Sequence, residues 1–284
     1  MRAWRRNSDE PASRSTVCSG GTRLAVPRPE RQPDASLSGG RSLELRGVPP
    51  VVPPRKADPM PARRAHAAVE GAPDLFADFE GTPPEAGRLF VDLSVPRQEA
   101  KSCTRCPLYK DATQTVFGEG PEDAAIMLVG EQPGDQEDLH GRPFVGPAGQ
   151  VLDRAMAAAG MERDKVYVTN AVKHFKFDRR GKKRIHQRPT NSEVDICRWW
   201  LDIERRVVRS RVIVALGTTA IRGITGRSSS VTSLRGKAAS LPDGTRMVAT
   251  VHPSYLLRMP DRMAAEAEFS RFVADLKLAL KAAG

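Results

Sequence analysis

The chain contains no run of about 18 consecutive apolar residues, the length a helix needs to span a bilayer. The arginines near Met1 do not lead into an apolar core, so a secretory signal is not expected. Cysteine is scarce, with four in 284 residues. Without an export signal, these thiols point to a reducing compartment, where cysteines hold metal more often than they form disulfides. A cytoplasmic protein with no membrane partner is expected. No Gly-Lys-Ser/Thr triplet closes a glycine loop, so there is no phosphate loop of that kind, and no internal repeat is visible.

Charge is plentiful. The formal net charge of +11 invites a polyanionic partner. Residues 1–70, however, hold 13 Lys and Arg against 7 Asp and Glu, so a surplus of six lies in a segment without core-forming pattern. Nucleic-acid binding must therefore be argued from where charges sit.

Residues 1–85 are rich in Pro, Arg, Ser and Gly, with Pro49-Pro50 and Pro53-Pro54, and are expected to form a disordered tail. Met60 offers an alternative start. Residues 86–284 read as one domain. Ala124–Val129 is an apolar run ending at a glycine, as buried parallel strands do. Gly149–Gly160 has helical spacing, and Lys165–Thr169 reads as a second strand. Thr190-Asn191-Ser192-Glu193 is a capping pattern that opens a helix through Val208. Arg211–Gly217 and Met247–Val251 read as further strands, and Ala264–Ala282 as a closing helix. This alternation predicts a three-layer α/β/α fold with a central four-stranded, mainly parallel sheet. In such sheets ligands sit beyond the carboxyl ends of the strands, so Glu131–Phe144, Asn170–Arg188 and His252–Ser254 should converge on one crevice.

Several residues there carry chemistry. Glu131 and Gln132, in Gly130-Glu131-Gln132-Pro133-Gly134, can orient a nucleophile or polarise a bound group, although an acidic surface turn reads the same way. Phe144, in a Gly/Pro-rich loop, can stack on a flat ring or simply cover the core. Asn170 offers a donor and an acceptor suited to a pyrimidine edge. Arg179–Arg188 concentrates positive charge in a loop, with Lys182, Lys183, Arg184 and Arg188 as candidate phosphate contacts. His186 in that run could be a phosphate donor, an acid–base group or a nucleophile. His252, followed by Pro253 and Ser254, can stabilise charge developing on a leaving group. Cys103 and Cys106 form a C-x-x-C pair, Cys197 adds a third thiol, and His174 can supply an imidazole. Cys18, in the tail, is not expected to join them.

Gly130–Gly134, Gly141-Arg142-Pro143-Phe144-Val145-Gly146, Val168-Thr169-Asn170, His252-Pro253-Ser254 and the Cys103/Cys106 pair together resemble the iron–sulfur branch of the uracil-DNA glycosylase superfamily, from about residue 88 to the C-terminus. Two features differ from ordinary members of that branch: His174 stands where they carry cysteine, and the Arg-Gly-Lys-Lys-Arg-Ile-His insertion is extra. Both are similar to UdgX-type proteins, which cross-link to uracil-containing DNA. The resemblance implies a 4Fe-4S cluster on Cys103, Cys106, His174 and Cys197. It further implies Gly130, Phe144, Asn170 and Glu137 around uracil, Glu137 crowding the methyl of thymine, Ser254 at the DNA backbone, and His186 attacking the sugar C1′. A monomer acting on uracil-containing, preferentially single-stranded DNA is expected. The alternatives are a turnover glycosylase, a non-catalytic iron–sulfur nucleic-acid-binding protein, and a zinc ribbon joined to an unrelated domain.

Overall fold

The computed structural model describes residues 89–284, so the expected tail over 1–85, Cys18 and the Met60 start lie outside the described residues. The chain passes through α1 (Ser94–Ala100) and the Cys103–Cys106 segment to β1 (Ile126–Gly130), then α2 (Asp135–His140), α3 (Pro147–Ala159) and β2 (Tyr167–Asn170). Short strands β3 (Phe177–Arg180) and β4 (Lys183–His186) precede α4 (Asn191–Val208), β5 (Val212–Leu216) and α5 (Thr218–Thr225). The remainder forms α6 (Val231–Leu234), β6 (Ala238–Ser240), β7 (Arg246–Thr250), α7 (Pro253–Leu257) and α8 (Arg262–Ala283). No described helix is long and apolar enough to cross a membrane.

The main sheet has the order β2-β1-β5-β7-β6. Its first four strands are parallel and correspond to the four expected from sequence. The fifth, β6, pairs antiparallel with β7 at the edge. Its residues, Ala238-Ala239-Ser240, carry no apolar run and gave no strand signal. Because successive side chains of a strand alternate faces, each central strand feeds two cores. Met127 and Val129 of β1 join Ile213 and Ala215 of β5 against Trp200, Leu201 and Ile221 from α4 and α5. Leu128, Val212, Val214 and Val248 point the other way, onto Leu152, Phe272 and Leu276 from α3 and α8. Both faces are covered, which is why these strands read as continuous apolar runs.

One expectation needs correcting. The basic segment is a β-hairpin rather than a loop: β3 and β4 pair antiparallel, with Arg180 opposite Lys183 and Phe177 opposite His186. Gly181 takes φ 59° in the two-residue turn, a left-handed conformation that favours glycine. Charges on both faces hide the period-two pattern. The pairing matters because a one-residue slip would turn His186 to the opposite face.

The capping pattern of α4 is formed as read. Thr190 Oγ1 accepts from the Glu193 N–H at 3.3 Å, and Glu193 Oε2 accepts from the Thr190 N–H at 2.6 Å. Thr190→Ala should lower stability by about 1 kcal/mol, measured as a shift in the urea unfolding midpoint with an unchanged slope.

Candidate active site

The carboxyl ends of β1, β2 and β7 lie along one edge of the sheet, and side chains from the segments after them meet there: Asn170 and Phe144 at Gly130, and Phe144 with His252. Gly130 and Asn170 are register partners at the ends of β1 and β2. A Cβ on Gly130 would collide with Asn170 Oδ1 and with the edge of the Phe144 ring, so this glycine lets amide and ring close over the strand end. Phe144 is buried at φ 55°, a strained backbone for an aromatic residue. Its loop is pressed against α3 where Gly149 has no side chain, since a Cβ there would overlap the Phe144 carbonyl. The Phe144 and His252 rings lie 5.9 Å apart with a 31° tilt. Asn170 Oδ1 and His252 Nε2, both beside Phe144, are buried without hydrogen-bond partners. Two orphaned polar atoms next to one aromatic face suit a flat, polar-edged ligand that would satisfy them.

The state of His252 is set by its contacts. It caps α7, and its Nδ1 accepts the Ser254 N–H at 3.2 Å, with Ser254 Oγ 2.8 Å away. An accepting Nδ1 leaves the proton on Nε2, which faces the slot as a donor. Burial first, then the charges of His186 and Arg258, push the pKa of His252 down to about 3. The ring is therefore neutral at physiological pH. Ser254, expected at the DNA backbone, supports this imidazole through its own N–H.

His186 sits at the end of β4, 48% exposed, with Nε2 3.5 Å from Glu131 Oε1. Burial and the Arg258 charge lower its pKa, while Glu131 opposes them. The other Glu131 oxygen accepts from Thr219 Oγ1 at 2.7 Å, which fixes the carboxylate and turns Oε1 toward His186. An imidazole whose protonation burial disfavours, next to an anchored carboxylate, has the chemistry to serve as an acid–base group or a nucleophile. Sequence reading missed Thr219 and Arg258. Thr219 comes just after the end of β5 and was within reach of the same strand-end rule, whereas Arg258 carries no local signal.

Other expected residues brace the site instead of facing it. Gln132 donates from Nε2 to the Lys176 and Gln187 carbonyls at 3.2 and 2.8 Å, and its Oε1 accepts the Lys176 N–H at 3.0 Å. Its amide staples the base of the hairpin, with both ends engaged by backbone groups of Lys176 and Gln187. Glu137 accepts from the Gly134 and Gly146 N–H groups at 3.1 and 2.8 Å, clamping the two loops that frame the slot. Arg184, expected at phosphate, is instead bound to Asp135 and Asp138, 13% exposed, with its guanidinium 5.4 and 5.2 Å from the Phe175 and Phe177 rings. It anchors the hairpin to α2. Lys182 and Lys183 at the turn are exposed. Arg188, also exposed, donates to Thr218 Oγ1 at 2.6 Å.

Cys103, Cys106 and Cys197 are free thiols. Trp200 Nε1 donates to Cys103 Sγ, and the Lys173 N–H to Cys197 Sγ, each at 3.2 Å. Burial pushes the Cys197 thiol up to about 12, and the neighbouring Cys106 and Cys103 add to the rise. His174 comes directly after Lys173, and its buried Nδ1 has no partner. Among the described residues no three His, Cys, Asp or Glu side chains gather as a site for a single ion. Soft sulfur donors with N–H groups aimed at them fit a sulfur-ligated cluster, and the unpartnered Nδ1 of His174 leaves an imidazole nitrogen available as a further donor.

The model of the Uracil DNA glycosylase superfamily matches residues 117–277. A Type-4 uracil-DNA glycosylase of Thermotoga maritima is 38% identical over 167 residues, covering 58% of this chain and 83% of that protein. One from Archaeoglobus fulgidus is 34% identical over 182 residues, covering 61% and 88%. A Type-5 uracil-DNA glycosylase of Pyrobaculum aerophilum is 30% identical over 191 residues, covering 60% and 80%.

Nitrogen-15 imidazole spectra should show His252 neutral with its proton on Nε2 from pH 8 down to pH 5. Because its folded pKa lies below the ordinary value of about 6.5, the unfolded chain takes up the proton first. The stability this residue contributes is thus complete above that value and falls as the pH drops from there toward 3. His252→Asn should flatten that part of the stability profile.

Proposed function

Because the chain belongs to the uracil-DNA glycosylase superfamily, we propose that it recognises uracil in DNA, breaks the N-glycosidic bond and becomes covalently joined to the sugar through His186. The relatives named as Type-4 uracil-DNA glycosylases support the base and the bond. The single observation that supports capture is the placement of His186: its imidazole lies 3.5 Å from the Glu131 carboxylate, where an attacking water would otherwise be oriented.

In this reading a uridine is flipped out of the strand and its ring stacks on Phe144. Asn170 satisfies its orphaned Oδ1 on the base edge, and the neutral Nε2–H of His252 donates to a uracil carbonyl oxygen. As the N1–C1′ bond breaks, its electron pair leaves with the base, and the His252 donor stabilises the resulting anion. One nitrogen of His186 gives its lone pair to C1′, forming a C–N bond. The alkylated ring then loses the proton on its other nitrogen, with Glu131 as the acceptor at hand, and the uracil anion takes a proton from water. Thr219 keeps Glu131 in place throughout. Glu137 acts through the loops it clamps, which set the space available to a 5-methyl group. Lys182, Lys183 and Arg188 meet the phosphates. A 4Fe-4S cluster on Cys103, Cys106, His174 and Cys197 would supply a cross-link between the segment after α1, the chain beyond β2 and α4.

A uracil-containing single-stranded oligonucleotide should give a band that stays shifted after heat and detergent, with stoichiometric uracil release. His186→Ser should abolish that band and, by admitting water, convert the protein to repeated uracil release. Multiple turnovers by the wild type without a stable band would replace capture with ordinary hydrolysis. Fully salt-reversible binding with neither product would leave a binding protein. His252→Ala should slow release about 10²- to 10³-fold, as loss of an oxyanion donor does. Lys182→Ala and Lys183→Ala should each reduce the slope of log affinity against log salt by about 0.7 on single strands.

A further inference from the structure

We propose that Lys173 is a positioning residue that sets the accuracy of base recognition, by fixing the backbone of Asn170 through a wholly buried charge network. The inference rests on Asn170 being the uracil-facing amide. β2 is the outer strand of the sheet, paired with β1 on one side. On its other side the described ladder contact is a bridge between Glu119 and Val168, two residues short of Asn170. Just past Asn170 the Ala171 and Val172 N–H groups donate to the Gly130 and Glu131 carbonyls at 2.9 and 3.0 Å, which hold the strand end on the β1 side, while the Asn170 carbonyl itself is met by a side chain.

Lys173 supplies it. Its Nζ donates to the Asn170 carbonyl at 2.7 Å, to Thr169 Oγ1 at 2.7 Å and to Glu204 Oε2 at 2.6 Å, so all three ammonium protons are engaged. Glu204, reaching across from α4, also accepts from the Gly118 N–H at 2.8 Å, from the Tyr167 hydroxyl at 3.1 Å and from Thr169 Oγ1 at 2.9 Å. Both charged side chains are 0% exposed. A buried pair of this kind is seldom more stabilising than apolar packing of the same volume, and its best-attested use is to select one arrangement over others. Here the arrangement selected is the height of Asn170 against Gly130 and Phe144. Hydrogen-bond recognition weakens steeply with misplacement, and a recognising group must be held to about 0.5 Å. The Lys173 backbone N–H also donates to Cys197 Sγ, so one residue ties the strand end to α4 at two points, Cys197 and Glu204.

Two variants test this. Lys173→Met leaves Glu204 its three uncharged donors, and Lys173→Met/Glu204→Gln removes both charges, so folding does not hang on one design. Rates of uracil release or capture under single-turnover conditions, read against protein concentration, should show the half-saturating concentration raised at least tenfold in both variants. In an Asn170→Ala background Lys173→Met should add less than twofold, because its effect passes through the missing amide. Full additivity in that background, or wild-type values in either folded variant, overturns the proposal. Amide hydrogen exchange of the peptide over 165–176, read without DNA, distinguishes the two ideas. Lost protection in the variants, with a wild type inert toward uracil, counts against the functional reading alone. Unchanged protection overturns the positioning role whatever the activity.

Discussion

Four parallel strands covered on both faces leave one region where polar side chains can meet without being sealed into a core: the edge formed by their carboxyl ends. β1 pairs with β2 on one side and β5 on the other, so the connections after β1 and β5 diverge to opposite faces and open a crevice above the strand end. Among the described residues, Glu131, Asn170, Phe144 and His252 all follow or sit near these strand ends. At Gly130 the absence of a single carbon lets Asn170 and Phe144 come together. The strained Phe144 backbone, the close approach of α3 at Gly149 and the Glu137 clamp all serve to keep the aromatic face over that gap.

Much of this frame was legible in the sequence because burial on two faces writes itself as apolar runs. β1, β2, β5 and β7 were found within two residues of their bounds, and the α4 cap was visible in Thr190 and Glu193. Three things were hidden for physical reasons. β6 has only small residues at a sheet edge, so nothing in its composition sets it apart from a loop. The β3–β4 hairpin is charged on both faces, which erases the alternation that announces a strand. The left-handed backbone of Phe144 depends on tertiary packing alone. At the site, residue types predicted which side chains would arrive but not what they would bond. Thus Glu131 and His186 came together, while Gln132 turned away to the hairpin and Thr219 went unnoticed.

The basic run illustrates how position divides like charges between unlike tasks. Arg184 lies under aromatic rings between two aspartates, where its guanidinium organises protein against protein. Lys182 and Lys183, two residues and one residue earlier, stand in solvent at the turn. A count of positive residues treats all three alike. Histidines divide in the same way: His252 is driven neutral and locked in one tautomer by Ser254, whereas His186 keeps half its surface in water and sits beside a carboxylate. Neither contrast is a property of the residue type.

The staple at Gln132 has an architectural meaning. It grips Lys176 and Gln187, the residues immediately before and after the two strands of the hairpin, and those two are also bonded to each other at 2.9 Å. Entry and exit of the excursion are therefore fused at one point on the frame. The hairpin is held a second time where Arg184 of β4 meets Asp135 and Asp138 of α2, so it is braced both at its base and along one strand. The His186 imidazole sits on this excursion, whereas Gly130 and Asn170 belong to the strands of the sheet beneath it.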